Sequence, residues 1–200
     1  MSKERVLDIG IGSGGTYIRR NTIPTEQRIG IDVDRRSISV LRRKYPDVIP
    51  VVASAEHLPF TDSTFPRIEI VLPFNELMIP GLQNDHFALN QKWKDEYAQT
   101  HPDGWYPEFQ RVLIPHGELV IFADLWTDPK QVEKTSQRFF EVEQVRQLTV
   151  AEFRALGTST VEKVIANGRR SPFIDKTGKK WEDTLVEINL RSTKSAIIAP

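Results

Sequence analysis

Short apolar runs alternate with amphipathic stretches along most of the chain. Strands are predicted at residues 5–9, 28–33, 48–53, 67–72 and 118–123. Residues 36–45 place Ile38, Leu41 and Tyr45 on one face of a predicted helix that Pro46 ends, and residues 109–113 close another helix. Strands that alternate with helices favour an α/β fold with a mainly parallel sheet.

The C-terminal third predicts two more helices and two more strands. Asp128-Pro129 has the form of a helix start, and the helix is predicted to run to about Val145. Residues 149–152 have the form of a capping box that opens a short helix, which Gly157 ends. Residues 161–166 and 184–191 alternate apolar and polar positions, as paired strands do. Because only a loop at 167–183 separates them, these two strands are predicted to be antiparallel neighbours.

Composition is that of a folded domain without disulfides or membrane spans. The chain has 200 residues, of which 39% are hydrophobic and 27% charged, so a single domain at 1–200 is expected. Its apolar runs are too short to cross a membrane, and the first strand begins too early to leave room for a signal peptide. The absence of cysteine excludes thiolate chemistry and favours a cytoplasmic location.

Charge and histidine spacing narrow the candidate chemistry further. Basic and acidic residues number 27 each, so no net charge attracts a polyanion. Arginine clusters at 35–36 and 42–43 are typical of a solvated helix surface, although clusters on one face would also serve a nucleic-acid binder. The four histidines show no pair at metal-ligand spacing, and no metal is predicted.

A glycine-rich turn follows the first strand and carries the strongest local signal. It reads Asp8-Ile9-Gly10-Ile11-Gly12-Ser13-Gly14-Gly15. Glycines at the exit of a strand let the backbone turn tightly and approach a ligand closely. The second strand ends in Asp32, whose carboxylate can accept both hydroxyls of a ribose. Together these features predict a pocket for a cofactor that contains a nucleoside.

The glycine pattern alone leaves the cofactor open. Gly10, Gly12 and Gly15 satisfy the dinucleotide pattern G-x-G-x-x-G, whereas Gly10, Gly12 and Gly14 satisfy the G-x-G-x-G of methyltransferases. Asp8 favours the second pattern, because its carboxylate suits the cationic end of S-adenosylmethionine (SAM) and would repel a pyrophosphate. The alternative role of Asp8 is to cap the turn.

Two more segments complete an ordered set of motifs. Ser54-Ala55-Glu56-His57-Leu58-Pro59-Phe60 follows the third strand, and residues 111–120 link a helix to the fifth. From 5 to 123 the chain resembles the class I SAM-dependent methyltransferases, most nearly the methyltransferase type 11-like group. The resemblance implies a Rossmann-like α/β fold with a seven-stranded, mostly parallel sheet in the order 3-2-1-4-5-7-6. Helices cover both faces of that sheet, and its seventh strand is antiparallel.

The resemblance also implies ten cofactor-binding positions. They are Asp8, Gly10, Gly12 and Gly14 around the methionine moiety, Asp32 on the ribose, Val33 on the adenine face, Ser54 and Ala55 at the adenine edge, and Leu72 and Pro73 near the methyl group. Ser54 stands where the group has an acid, which weakens the expected contact with adenine. The helices that cover the site in this group are absent before the first strand, so a partner or a dimer is expected to complete the site.

Catalytic candidates follow the fourth strand. Methyl transfer depends largely on alignment of nucleophile and methyl group, so no strong acid or base is required. Asn75 would orient a polar acceptor and Glu76 would take its proton, although both residues also suit helix capping. An insertion at about 76–108 is predicted to determine the substrate. Within it, Leu89, Trp93 and Tyr97 recur at four-residue steps, a spacing that equally indicates core packing.

Three functions remain open at this point. The Leu-Pro-Phe loop and the balanced charge favour methylation of a small molecule. Residues 67–74 and 107–109, with Ala123-Asp124, are faintly similar to the 7-methylguanosine tRNA methyltransferases, but the Pro-Asp-Pro-Trp segment of those enzymes is missing. The third alternative is a non-catalytic Rossmann-like nucleotide-binding module. Residues 169–180, within the loop at 168–183, are open to three interpretations: a mobile arm, a partner surface or a long hairpin loop.

Overall fold

A computed structural model describes residues 5–14, 27–71, 100, 103–123, 129–155 and 185–195. These residues form seven strands and four helices. The strands are β1 (Val6–Ile9), β2 (Arg28–Asp32), β3 (Ile49–Val52), β4 (Phe65–Val71), β5 (Leu113–Ala123), β6 (Phe140–Gln147) and β7 (Val186–Ser192). The helices are α1 (Arg35–Lys44), α2 (Tyr106–Val112), α3 (Pro129–Ser136) and α4 (Val150–Ala155).

All seven strands belong to one sheet in the order β3-β2-β1-β4-β5-β7-β6. The pairs from β3 to β5 are parallel, and β7 runs antiparallel to both β5 and β6. This confirms the predicted sheet order and the predicted reversal of β7. The chain winds outward from β1 to β3 and then returns to β4, so the strand order switches direction at β1. In open α/β sheets the carboxyl edge at such a switch point is where ligands bind.

One face of the sheet holds the main hydrophobic core. Successive strand residues point to opposite faces, so residues paired in register share a face. One buried row of apolar side chains crosses five strands, namely Ile29, Leu7, Ile68, Leu119 and Leu190. Tyr106 and Phe109 of α2 and Val132 of α3 belong to the same cluster.

The opposite face carries alternating charges instead of an apolar row. Arg67 is the hub of this network, with Nε 2.7 Å from Glu69 and Nη1 3.0 Å from Glu118. Arg191 of β7 continues the network, because it contacts Glu118 at 3.5 Å and also pairs with Glu143 of β6. A cavity of about 390 Å³ lies at the amino edge of this face, on the side of the sheet away from the glycine turn. The sequence patterns did not predict this network.

Helix α1 confirms the helix predicted at 36–45, displaced by one residue. Asp34 is its N-cap, since its side chain accepts hydrogen bonds from the backbone N–H groups of Arg36 and Ser37. Ile38 and Leu41 are buried on the sheet side of the helix together with Val48, as the amphipathic pattern indicated.

The predicted helix from 128 to about Val145 is wrong in its second half. Helix α3 ends at Ser136, and Phe140–Gln147 forms the edge strand β6. The segment alternates apolar and polar positions at its start, and Val142 pairs in register with Leu190 of β7, so pairing with β7 prevailed over the helix signal. The strand predicted at 161–166 lies outside the described residues. The neighbour of β7 is β6, and helix α4 intervenes between them in the chain.

The capping box predicted at 149–152 is confirmed. The backbone N–H of Thr149 donates to Glu152 Oε2 at 2.8 Å, and the N–H of Glu152 donates to Thr149 Oγ1 at 3.2 Å. Helix α4 follows it directly. Among the described helices, none combines the length and apolar character needed to cross a membrane.

Candidate cofactor site

The turn after β1 is built on glycines in the left-handed region. Gly10, Gly12 and Gly14 have φ values of +69°, +59° and +79°. Side chains strongly disfavour this backbone conformation, so the spacing of the three glycines follows directly from the shape of the turn. Among the described residues, no atom would lie within 4 Å of a Cβ at Gly10 or Gly12. Gly15 lies outside the described residues.

Gly30 allows the turn to lie against β2. The N–H of Ile11 donates to the carbonyl of Ile31 at 3.0 Å, which fastens the turn to the neighbouring strand. A Cβ at Gly30 would come within 2.5 Å of Cδ1 of Ile11. Sequence reasoning placed Gly30 at the end of the second strand without seeing this role, because the contact depends on two strands in register.

Asp32 joins the end of β2 to the glycine turn. Its Oδ2 accepts a hydrogen bond from the N–H of Gly12 at 2.9 Å, and its Oδ1 accepts one from the N–H of Asp34 at 2.8 Å. The structure therefore brings together the acid and the glycine motif that the sequence separates by 20 residues. Beside them, Val33 and Val52 are 66% and 45% exposed, which leaves apolar surface open at the carboxyl ends of β2 and β3.

Residues 54–60, the third-strand loop, form a compact turn beside this edge. The hydroxyl of Ser54 accepts a hydrogen bond from the N–H of Glu56 at 3.2 Å, and the carbonyl of Ser54 accepts one from His57 at 3.2 Å. Ala55 and Leu58 are buried in the main core. The side chain of Ala55 is thus committed to packing, and only its backbone is left for the predicted contact with adenine.

Asp8 is ion-paired beneath the turn. Nη1 of Arg28 lies 2.9 and 2.7 Å from its two carboxylate oxygens, and Asp8 is only 3% exposed. The pKa of Asp8 is raised to about 7. Burial is the main cause, Glu69 adds to it, and the attraction of Arg28 opposes it. This differs from the expectation of a carboxylate open to a cationic ligand. The signal that was missed is Arg28 itself, a cation at the start of the buried strand β2.

Several predicted site residues lie outside the described residues. They are Leu72, Pro73, Asn75 and Glu76. The predicted insertion at 76–108 is described only at residue 100 and from 103 onward. There Trp105 and Tyr106 are buried, with ring centroids 5.9 Å from Phe109 and Phe140, respectively. These two aromatic residues therefore belong to the core.

The comparisons with known proteins agree with this geometry. Residues 6–84 match the family profile described as "Methyltransferase domain". No curated protein matches the chain in sequence. The chain has the fold of the [4+2]-cyclase SpnF, with 17% identity, a TM-score of 0.60, and coverage of 96% of this chain and 75% of that one.

Two other solved structures share the fold. The 16S rRNA methyltransferase KamB is 14% identical, with a TM-score of 0.62 over 96% of this chain and 88% of that one. A putative methyltransferase in complex with the Haloferax volcanii methyltransferase activator Trm112 is 13% identical, with a TM-score of 0.61. The match covers 98% of this chain and 85% of that one. At these identities the structures establish the fold. The profile match spans the glycine turn and β2, and the sheet has the strand order of the Rossmann-like methyltransferase fold, so the N-terminal part of the chain is similar to methyltransferases that use S-adenosylmethionine.

Proposed function

We propose that the protein transfers a methyl group from SAM to a small-molecule acceptor at the carboxyl edge of the sheet, beside β1. The observation that carries the proposed pocket is the hydrogen bond from Gly12 N to Asp32 Oδ2. It fixes a carboxylate and a left-handed glycine turn at one edge, with exposed apolar surface next to them. SAM would supply a sulfonium-activated methyl group there, and the protein would supply binding and alignment.

The proposed pocket assigns one part of the cofactor to each element of the edge. Asp32 would accept the ribose hydroxyls. Val33 would cover one adenine face, and this contact would account for the exposed side chain of Val33. Ser54 and the backbone of Ala55 would meet the adenine edge. The methionine part would lie along Gly10, Gly12 and Gly14. Leu72 and Pro73 would stand near the methyl group, and Asn75 and Glu76 near the acceptor.

Asp8 has a different part in this proposal. Its carboxylate is held by Arg28, so it would support the methionine end indirectly, by fixing β1 beneath the turn. Direct contact between Asp8 and the cofactor amino group stays a prediction, and that contact would require Arg28 to release one carboxylate oxygen.

The preference for a small acceptor rests on charge. Six arginines of the described chain are paired with carboxylates, namely Arg28, Arg67, Arg111, Arg138, Arg146 and Arg191. A paired guanidinium has little left to offer a phosphate backbone, whose binding depends on unneutralised cations. With equal numbers of acidic and basic residues overall, this charge pattern suits an uncharged or small acceptor.

RNA is the second candidate acceptor, and helix α1 favours it. Arg35, Arg36, Arg42 and Arg43 are all exposed, and within the described chain none of their side chains forms a hydrogen bond or ion pair. Their positions are related by seven residues, two helical turns, so the four side chains form one outward stripe. Guanidinium groups bind phosphates well in such an arrangement. The structure of KamB shows that the same fold occurs in an rRNA methyltransferase.

Calorimetry and label transfer test these proposals. The purified protein should release heat with SAM and none with NAD. Methyl-labelled SAM, incubated with either a small-metabolite fraction or an RNA fraction, should label the former. Three results would instead favour RNA as the acceptor. The RNA fraction would be labelled, the affinity for RNA would fall steeply with added salt, and that salt dependence would be weaker in an Arg36→Glu/Arg43→Glu variant. Heat with NAD but not with SAM would contradict the pocket itself.

A partner or a dimer at the site is also part of the proposal, and it is supported by the Haloferax volcanii protein of this fold, which was solved in complex with a methyltransferase activator. The molar mass in solution, measured with and without SAM, tests for a dimer. A cytoplasmic location likewise stays a prediction from the lack of cysteine.

A further inference from the structure

Glu108 and Arg111 of α2 hold the third-strand loop from a distance of about fifty residues in the chain. Glu108 Oε1 accepts a hydrogen bond from the N–H of Leu58 at 2.7 Å. Arg111 donates from Nη2 to the carbonyl of Leu58 at 3.0 Å and from Nη1 to the carbonyl of Phe60 at 2.8 Å. Both backbone polar groups of Leu58 are therefore satisfied by one helix.

The two side chains are also bonded to each other. Arg111 Nη2 lies 2.6 Å from Glu108 Oε1, and Nε lies 2.9 Å from Oε2, which is a two-pronged pairing. Their side chains are 32% and 19% exposed, so solvent screens the pair only partly. The hydrogen bonds that Arg111 donates lower the pKa of Glu108, and the acceptors Glu108 and Asp62 raise the pKa of Arg111, so both groups stay charged near neutral pH.

Other contacts also restrain the loop: Ser54 Oγ accepts a hydrogen bond from Glu56 N–H at 3.2 Å, and the ring of Phe60 packs edge-on against Phe65 at 4.9 Å. A single bridge between Ser54 and His57 closes it, and the buried side chains of Ala55 and Leu58 anchor it. Leu58 stands three residues after Ala55, to whose backbone the proposed function assigns the adenine edge. The position of the loop along the carboxyl edge is therefore set jointly by core packing and by the Glu108–Arg111 pair.

We propose that Glu108 and Arg111 are positioning residues for the adenosine half of SAM, and that they act by holding the third-strand loop where adenine would meet it. The inference rests on the proposed function, because that function assigns Ser54 and Ala55 to adenine. Under the proposed function the methionine half would lie on the glycine turn. Neither Glu108 nor Arg111 contacts that turn in the described chain. Loss of the pair should therefore weaken binding of the whole cofactor and of its adenosine half by the same factor.

The test compares two conservative variants with one matched control. Arg111→Lys keeps the charge and loses the two-pronged geometry, and Glu108→Gln keeps an acceptor for Leu58 N–H and loses the charge. Arg146→Lys is the control, because Arg146 also bridges two carboxylates, Glu152 at 2.5 Å and Glu187 at 2.6 Å, away from the loop. Calorimetry gives the dissociation constants of SAM and of 5′-methylthioadenosine, which lacks the amino-acid part.

We expect both loop variants to bind SAM and 5′-methylthioadenosine about tenfold more weakly than the wild type, and the control to match the wild type. Unchanged affinity in a folded loop variant, or a loss confined to SAM, would overturn the inference. A wild type that binds neither compound would instead contradict the proposed function. Should one loop variant unfold at the assay temperature, the other decides, because it retains a different half of the pairing.

Discussion

Arg28 and Asp8 form a buried ion pair between neighbouring strands, with Nη1 2.7 Å from Oδ2 and the Arg28 side chain fully buried. Glu69 lies 3.5 Å from the same Nη1, and Arg67 lies 2.7 Å from Glu69. The four groups comprise two cations and two carboxylates, so the cluster is neutral when all are ionised. A neutral buried cluster is tolerated as a whole, whereas removal of one member leaves an uncompensated charge.

Replacement of Arg28 should therefore destabilise the protein severely. Above pH 7, Arg28→Met is expected to lower the free energy of unfolding by about 3–5 kcal/mol, because buried Asp8 would lose the cation beside it and Glu69 would keep Arg67 but lose Arg28. Urea unfolding measures this change. Arg138→Met is the control, since Arg138 pairs with Asp103 in an exposed position where the loss should stay below about 1 kcal/mol.

A second variant separates charge from packing. Asp8→Asn combined with Arg28→Met removes both partners, and it should recover a large part of the stability that the single Arg28 change loses. Equal losses in the single and double variants would mean that the bulk of Arg28, and not its charge, supports the sheet.

The contribution of Asp8 to stability should fall as pH rises from about 4 to about 7. Burial raises the pKa of this carboxyl from 3.8 to about 7, so the folded chain keeps a proton that the unfolded chain has released in this window. Since the folded state binds more protons there, a rise in pH favours unfolding. The measurement is urea unfolding of wild type and Asp8→Asn across the window. The difference in stability between wild type and Asp8→Asn should change only between about pH 4 and about pH 7. A constant difference across this range would exclude a raised pKa of Asp8.

Gly30 should be intolerant of even a methyl group. In Gly30→Ala the new Cβ would stand 2.5 Å from Cδ1 and 2.8 Å from Cγ2 of Ile11, so the Ile11 side chain, or the turn that carries it, must shift. We expect weaker SAM binding together with a lower melting temperature. Ile11→Ala in the same chain removes both close atoms and leaves only the 3.3 Å contact with Cβ, so it should restore affinity in part. If the double variant binds no better than Gly30→Ala, steric pressure on Ile11 is not the cause.

The sheet and half of the site could be predicted because their signals are local. The glycine turn and the capping box each follow from conformational needs within a few residues, and the strand order was implied by the resemblance of the ordered motifs to a known family. The helix predicted from Asp128-Pro129 runs too far, into β6, because a helix start does not indicate where pairing with β7 begins. Partners of Leu58 and Asp8 could not be predicted, since Glu108 is 50 residues and Arg28 is 20 residues away. Contacts at that separation depend on register and topology together.

Asp32 should prove specific among the acids at the carboxyl edge. Asp32→Ala removes the acceptor of the Gly12 and Asp34 N–H groups and the proposed acceptor of the ribose hydroxyls. We expect SAM binding, measured by calorimetry, to weaken by about 1–3 kcal/mol, the range for hydrogen bonds to a charged group. Asp34→Ala removes the same charge two residues away and uncaps α1, so it should lower the melting temperature while leaving SAM affinity within about twofold. Equal loss of affinity in both variants would indicate that SAM responds to net negative charge at this edge, and the ribose would then have to be assigned to another group.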